Sequence, residues 1–340
     1  MTAPLEINRI DPPVGIAGGE VAVTYSGAEG VSGELVVMFD EKPAHVIALG
    51  RRRALVSIPE IGREGRIDVA VVAGNQRAAA DFSIGRRLAG GLHPVTNPAF
   101  DPNDGSLYVT RSGSRGEHVP VSIFRIGRGG TVEDFSSEVM NPTSIAFGRT
   151  GRMFVTSRLD GTVYRATVDG EMAAFATDLG VATGLAFNQA GDMFVGDRGG
   201  VIFRVNEIGE AKPWAQREPS VSAYHLAFGP DDALYVTGPT VSSFDSVTRF
   251  DAEGRAQSFY QGLGRPQGLA FDRNGNLYVA ASLRGRRGIV RISPDGTAAQ
   301  LIVAASNLVG LAFGPQGEMV LATNDAVYSV PLGIHGTLLG

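Results

Sequence analysis

The stretch that decides the fold is Gly268-Leu-Ala-Phe-Asp-Arg-Asn-Gly-Asn-Leu-Tyr-Val279. A short apolar run meets a turn of Asp, Asn and Gly and resumes as a second apolar run, which is a strand, a tight turn and a returning strand. The phrase recurs as NPAFDPNDGSLYV from Asn97, SIAFGRTGRMFV from Ser144, GLAFNQAGDMFV from Gly184, HLAFGPDDALYV from His225 and GLAFGPQGEMVL from Gly310. Its anchoring aromatics are Phe100, Phe147, Phe187, Phe228, Phe271 and Phe313, spaced by 47, 40, 41, 43 and 42 residues. A period near 42 built from strand-length segments belongs to propeller blades. A third strand follows in each copy, as IFRI at Ile123, VYRA at Val163, IFRV at Ile202, VTRF at Val247, IVRI at Ile289 and VYSV at Val327. A second turn, such as Ser293-Pro294-Asp295-Gly296, leads to a fourth. Strands apolar on both faces need sheets against both faces, and radial stacking supplies them.

The last copy runs out after three strands. Leu88, Leu92 and Phe100 match the spacing of Phe259, Leu263 and Phe271. Residues 86–92 are therefore predicted to close the last blade as its outer strand, leaving no open edge. The fold class predicted is all-β: a six-bladed propeller over residues 86–340, preceded by an immunoglobulin-like sandwich over residues 1–85. The evidence for the second domain is its short alternating strands, among them Val21-Ala-Val-Thr-Tyr25 and Asp68-Val-Ala-Val-Val72, with turn signals at Pro12-Pro13 and Gly18-Gly19. The junction at residues 83–87 is short, so the domains are expected to touch.

Composition narrows the function classes. The 340 residues carry a formal charge of −5, which speaks against general nucleic-acid binding. The absence of cysteine removes disulfides, thiolate metal sites and cysteine nucleophiles. Forty-six glycines favour many tight turns over long helices. No apolar run approaches a membrane span. The N-terminal MTAPLEINRIDPP lacks the form of a signal peptide. The expected compartment is the cytoplasm, or outside it if a leader has been removed.

The repeated phrase resembles the NHL-repeat and gluconolactonase-like (regucalcin-type) propellers, and residues 1–85 resemble the IPT/TIG domain. Such propeller enzymes hold one divalent cation, calcium for instance, with a Glu on the first inner strand and Asn and Asp from others. The matching positions here lack that Glu and its partners, and only Asn97, Asn141 and Asp197 remain as candidate ligands. No GxSxG elbow, HExxH, P-loop or EF-hand is present, and the five histidines lack metal-pair spacing.

Blade-by-blade comparison then picks out the ring axis and one mouth. Three residues before each anchoring Phe stand Asn97, Ser144, Gly184, His225, Gly268 and Gly310, four of them small, as crowding at an axis requires. One position earlier come Thr96, Thr143, Thr183, Tyr224, Gln267 and Val309. The end of the second strand and the loop after it carry Arg111, Arg115, Arg158, Arg198, Arg284, Arg286 and Arg287, with Glu117, Asp160, Asp245 and Asp325 against them and Asp197 among them. The opposite rim is rich in turn aspartates, Asp101, Asp104, Asp169, Asp192, Asp231 and Asp272 among them. Turn chemistry explains those aspartates but asks for no arginine. Guanidinium forks suit carboxylate or phosphate. The expected ligand-binding residues are Asn97, Arg111, Arg158, Asp197, Arg198, His225, Gln267 and Arg284, facing a small anionic molecule or an acidic protein partner. The alternative is a metal-dependent lactonase or esterase. The arginines recurring in the third strands, Arg125, Arg165, Arg204, Arg249 and Arg291, read as structural, with stems on apolar surface and heads paired near blade edges.

Overall fold

The computed structural model describes residues 4–28, 35–167, 170–242 and 244–337, and Asp169 lies outside them. The described residues form strands, turns and loops, and no helix among them is long and apolar enough to cross a membrane. Each copy of the phrase opens a four-stranded antiparallel set, called a unit here and numbered in chain order. Unit two shows the pattern: Pro142–Phe147, Met153–Ser157, Thr162–Ala166 and Met172–Ala176, paired in that order. The last unit takes three strands from its own copy, Leu308–Phe313, Glu318–Thr323 and Ala326–Pro331. Its outermost strand is Arg86–Gly90, which runs antiparallel to Ala326–Pro331 with Arg86 opposite Ser329 and Gly90 opposite Ala326.

Successive units are joined by rings and by hydrogen bonds. Second-strand aromatics Tyr108, Phe154, Phe194, Tyr235 and Tyr278 meet Phe147, Phe187, Phe228, Phe271 and Phe313 of the following unit, with centroids 4.7 to 5.8 Å apart. Tilted and edge-on contacts of this kind add to the burial of both rings. On the inner side a chain of hydrogen bonds passes from each unit to the next. Thr96 Oγ1 donates to the Thr143 carbonyl at 2.6 Å and Thr156 Oγ1 to the Thr183 carbonyl at 3.0 Å. The Tyr224 N–H donates to Thr183 Oγ1 at 3.0 Å, and Thr237 Oγ1 to the Gln267 carbonyl at 2.5 Å. The Gly268 N–H reaches the Val309 carbonyl at 3.2 Å, and the Leu311 N–H closes the circle on Asn97 Oδ1 at 3.0 Å. At Gly310 the missing side chain is obligatory, because a Cβ there would stand 2.5 Å from the Asn97 backbone.

Three of the third-strand arginines turn back to the hairpin rim and two lie against the fourth strand. Arg125 pairs with Asp104, Arg204 with Asp192 and Arg249 with Asp231, each at 2.7 Å. Arg165 lies over the Phe175 ring at 5.2 Å, and Arg291 reaches Gln300 at 3.3 Å. Several aspartates of the acidic rim are thus partners of these arginines, and others cap their own turns, as Asp101 does for the Asn103 N–H and Asp272 for the Asn274 N–H.

The N-terminal residues form two facing sheets. One contains Glu6–Asp11, Glu20–Ser26, Arg53–Ser57 and His45–Leu49; the other contains Gln76–Ile84, Gly65–Ala73, Leu35–Phe39 and Lys42–Pro43. Their inner faces bury Val21, Val23, Tyr25, Val37, Phe39, Val69 and Phe82 in one core. Val14–Gly15 lies parallel between Gln76–Ile84 and Ala299–Ala304, the outermost strand of unit five, with Gly15 opposite Ala304. Hydrogen-bonded pairing therefore continues from unit five into the second of the N-terminal sheets. Arg286, expected in a mouth loop, instead opens the strand Arg286–Ile292 and pairs with Asp11, at 2.6 Å to the carboxylate and 2.9 Å to the carbonyl. Arg287 lies in the same strand.

Candidate functional site

The mouth is built by the loops that follow the second strands. In unit one that loop is shaped from unit two by Asn141. Its Nδ2 donates to the Gly113 and Ser114 carbonyls, both at 3.0 Å, and its Oδ1 accepts the Gly116 N–H at 2.8 Å. Arg158 leans on the same loop and donates from Nη2 to the Gly113 carbonyl at 3.0 Å. In unit three Asp197 Oδ1 accepts the Val181 and Gly199 N–H groups at 2.8 and 3.0 Å, which fixes the turn carrying Arg198.

Arg158 is half-buried, and its pKa is held below the ordinary guanidinium value by desolvation and by the nearby charges of Arg198 and Arg115. The acids expected beside them form no ion pair with them and make other contacts. Glu117 accepts the Ser114 N–H at 2.7 Å, Asp160 the Tyr164 hydroxyl at 2.7 Å, Asp245 the Thr240 hydroxyl at 2.7 Å, and Asp325 pairs with Arg87 at 3.3 Å. Among the described residues no carboxylate lies within ion-pair distance of Arg111, Arg115, Arg158 or Arg198. Guanidinium groups without an ion-pair partner keep their donors open to an anion, while Glu117 and Asp197 place negative charge in the same loops.

The other expected residues have different positions. Arg284 stands exposed at the tip of the unit-five hairpin, with φ 51°. Asn97 donates from Nδ2 to the Leu269 carbonyl at 3.0 Å and accepts from Leu311, so it ties unit one to units five and six. His225 and Gln267 do meet, with Nε2 3.3 Å from Oε1. Burial drives the His225 pKa down to about 4, partly offset by that bond. Sequence reasoning missed Arg217, which lies 5.5 Å from the Tyr224 ring centroid beside the mouth. Arg217 Nη1 and Asp245 Oδ2 are both buried without a hydrogen-bond partner. No motif marked Arg217, because it lies in an irregular connection outside the repeated phrase.

The oxygens proposed for a cation do not form a site. A hard divalent cation needs several oxygens on one centre. Asn97 and Asn141 spend their single amide oxygen, and Asp197 its Oδ1, on backbone N–H groups of separate segments. Among the described residues no group of three His, Cys, Asp or Glu is placed to hold a metal. This donor set does not fit the cation of the gluconolactonase-like enzymes.

Comparison with solved structures finds propeller-type proteins. An auxiliary nutrient binding protein from Bacteroides thetaiotaomicron is 13% identical, covers 96% of this chain and 97% of its own, and has a TM-score of 0.57. A gluconolactonase from Xanthomonas campestris is 16% identical, covers 73% and 89%, and has a TM-score of 0.59. A catalytically inactive histidine-to-alanine variant of virginiamycin B lyase from Staphylococcus aureus, with quinupristin, is 14% identical, covers 88% and 100%, and has a TM-score of 0.53. No family model and no curated protein matches the chain. At these identities the likeness shows the fold, and propellers host both binding proteins and enzymes.

Proposed function

We propose that this chain is a non-catalytic binding protein: a six-bladed propeller with a cationic mouth, carrying an immunoglobulin-like sandwich of the IPT/TIG type on its fifth blade. The observation that carries the reading is that Arg158 reaches the loop that carries Arg115, and that Arg115, Arg158 and Arg198 have no ion-pair partner among the described residues. Guanidinium groups left in that state take a carboxylate- or phosphate-bearing small molecule, or an acidic protein surface. The nutrient-binding neighbour supports a binding role for this architecture.

The test uses poly-glutamate and citrate as probes, titrated at low and at physiological salt. Replacing Arg115, Arg158 and Arg198 with Ala is expected to weaken binding by at least about tenfold and to flatten its salt dependence. Arg284→Ala is expected to change neither. Unchanged affinity and salt slope in the triple variant would sink the proposal. A calcium titration separates the hydrolase alternative, because a specific channel ion raises the melting temperature by mass action.

A further inference from the structure

Five junctions between consecutive units are filled alike, by a second-strand aromatic against the next anchoring Phe. The junction from the last unit back to the first departs from this. The position matching Tyr108, Phe154, Phe194, Tyr235 and Tyr278 is Val320. Phe100, the anchoring ring of unit one, is only partly buried and meets no other ring among the described residues. On the outer side, units one to four add Phe135, Phe175, Trp214 and Phe259 to the stack. The last unit has only Leu88 on its outer strand there. What remains is a cleft of about 390 Å³ between the last and first units, with Leu88, Phe100, Leu107 and Val320 among its walls.

The rim of this cleft carries two arginines and two glutamates, and they are not all paired with one another. Arg86 pairs with Glu64 at 3.5 Å. Glu318 holds the Gln316 N–H at 2.9 Å. Arg128 has no ion pair or hydrogen bond among the described residues. It lies across Gly105, where a Cβ would stand 2.9 Å from the guanidinium, so the missing side chain is what lets it sit over the cleft. The cleft has the size of a small-ligand site, with one apolar wall of Leu88, Phe100, Leu107 and Val320 and a polar rim.

We propose that this seam binds a small aromatic carboxylate. Its ring takes the place that a second-strand aromatic fills at the other five junctions, and its carboxylate rests on Arg128. This site is separate from the arginine mouth, whose key residues belong to units one to three.

The test is calorimetric titration of the full chain with indole-3-acetate and phenylacetate, with 2-phenylethanol and hexanoate as controls lacking the charge or the ring. The aromatic carboxylates are expected to bind about tenfold tighter than either control. Val320→Tyr restores the repeat's ring, so it should abolish binding and raise the melting temperature. Arg128→Gln should remove the advantage of the carboxylate over the alcohol and leave the alcohol's affinity unchanged. Arg158→Ala should have no effect. If Val320→Tyr does not fold, Arg128→Gln together with Phe100→Leu carries the test. No binding at millimolar ligand, or binding indifferent to Val320→Tyr and Arg128→Gln, would overturn the proposal. Loss on Arg158→Ala alone would also overturn it and assign the ligand to the mouth.

Discussion

His225 shows how a single side chain sets a pH response. It is 3% exposed, and the partial compensation from Gln267 leaves its pKa at about 4 against an ordinary 6.5. An amide oxygen only accepts, so the ring donates from Nε2 and stays neutral at neutral pH. Between those two values the unfolded chain binds a proton that the native state refuses. The stabilisation is therefore complete above 6.5 and is lost as pH falls toward 4. Denaturant midpoints are expected to drop from about pH 7 to about pH 4.5, and His225→Gln should flatten that slope by up to one proton. Side-chain roles were unevenly legible at this scale. The third-strand arginines repeat once per unit, and repetition marked them as structural. Arg286 looked like a mouth arginine because its partner, Asp11, lies 275 residues away in sequence. Asn141 and Asp197 looked like ligands because a sequence shows an oxygen but not the N–H that has already claimed it.

Strands are where the sequence spoke most clearly, since the anchoring Phe and the turn after it fix where each first strand ends. Strand lengths were less legible. In unit five the second and third strands run on to Leu283 and back from Arg286, leaving a tight hairpin where a loop was expected. That extension is supported from outside the repeat, by the Arg286 contact with Asp11. The pairing of Arg86–Gly90 with Ala326–Pro331 can be probed directly, because the chain has no cysteine to compete. Arg86→Cys with Ser329→Cys places two thiols on directly opposed residues. The oxidised pair is expected to stabilise the fold by about 2–4 kcal/mol, since it closes a loop spanning nearly the whole ring. Equal melting temperatures for the oxidised and reduced forms would show that this strand contributes nothing to closure.

For the molecule as a whole, the joint between the N-terminal sheets and unit five matters most. Gly18-Gly19 was noticed in the sequence as a mark of the domain's type. In the structure Gly19 is pressed on the neighbouring unit, and a Cβ there would stand 2.4 Å from the Ala304 carbonyl. Gly19→Val is expected to pry the two parts apart, so that one calorimetric transition becomes two. The strand on the other side of this joint is Ala299–Ala304, whose Leu301, Val303 and Ala304 are buried. Its counterparts in units one and three carry Glu133 and Asp134, or Lys212 and Pro213, which discourage pairing with another chain. Ala299–Ala304 has no such gatekeepers, and Val14–Gly15 lies along its outer edge. With that cover pried away, the bare edge is expected to pair with a second copy, so Gly19→Val should show itself first as aggregates in light scattering.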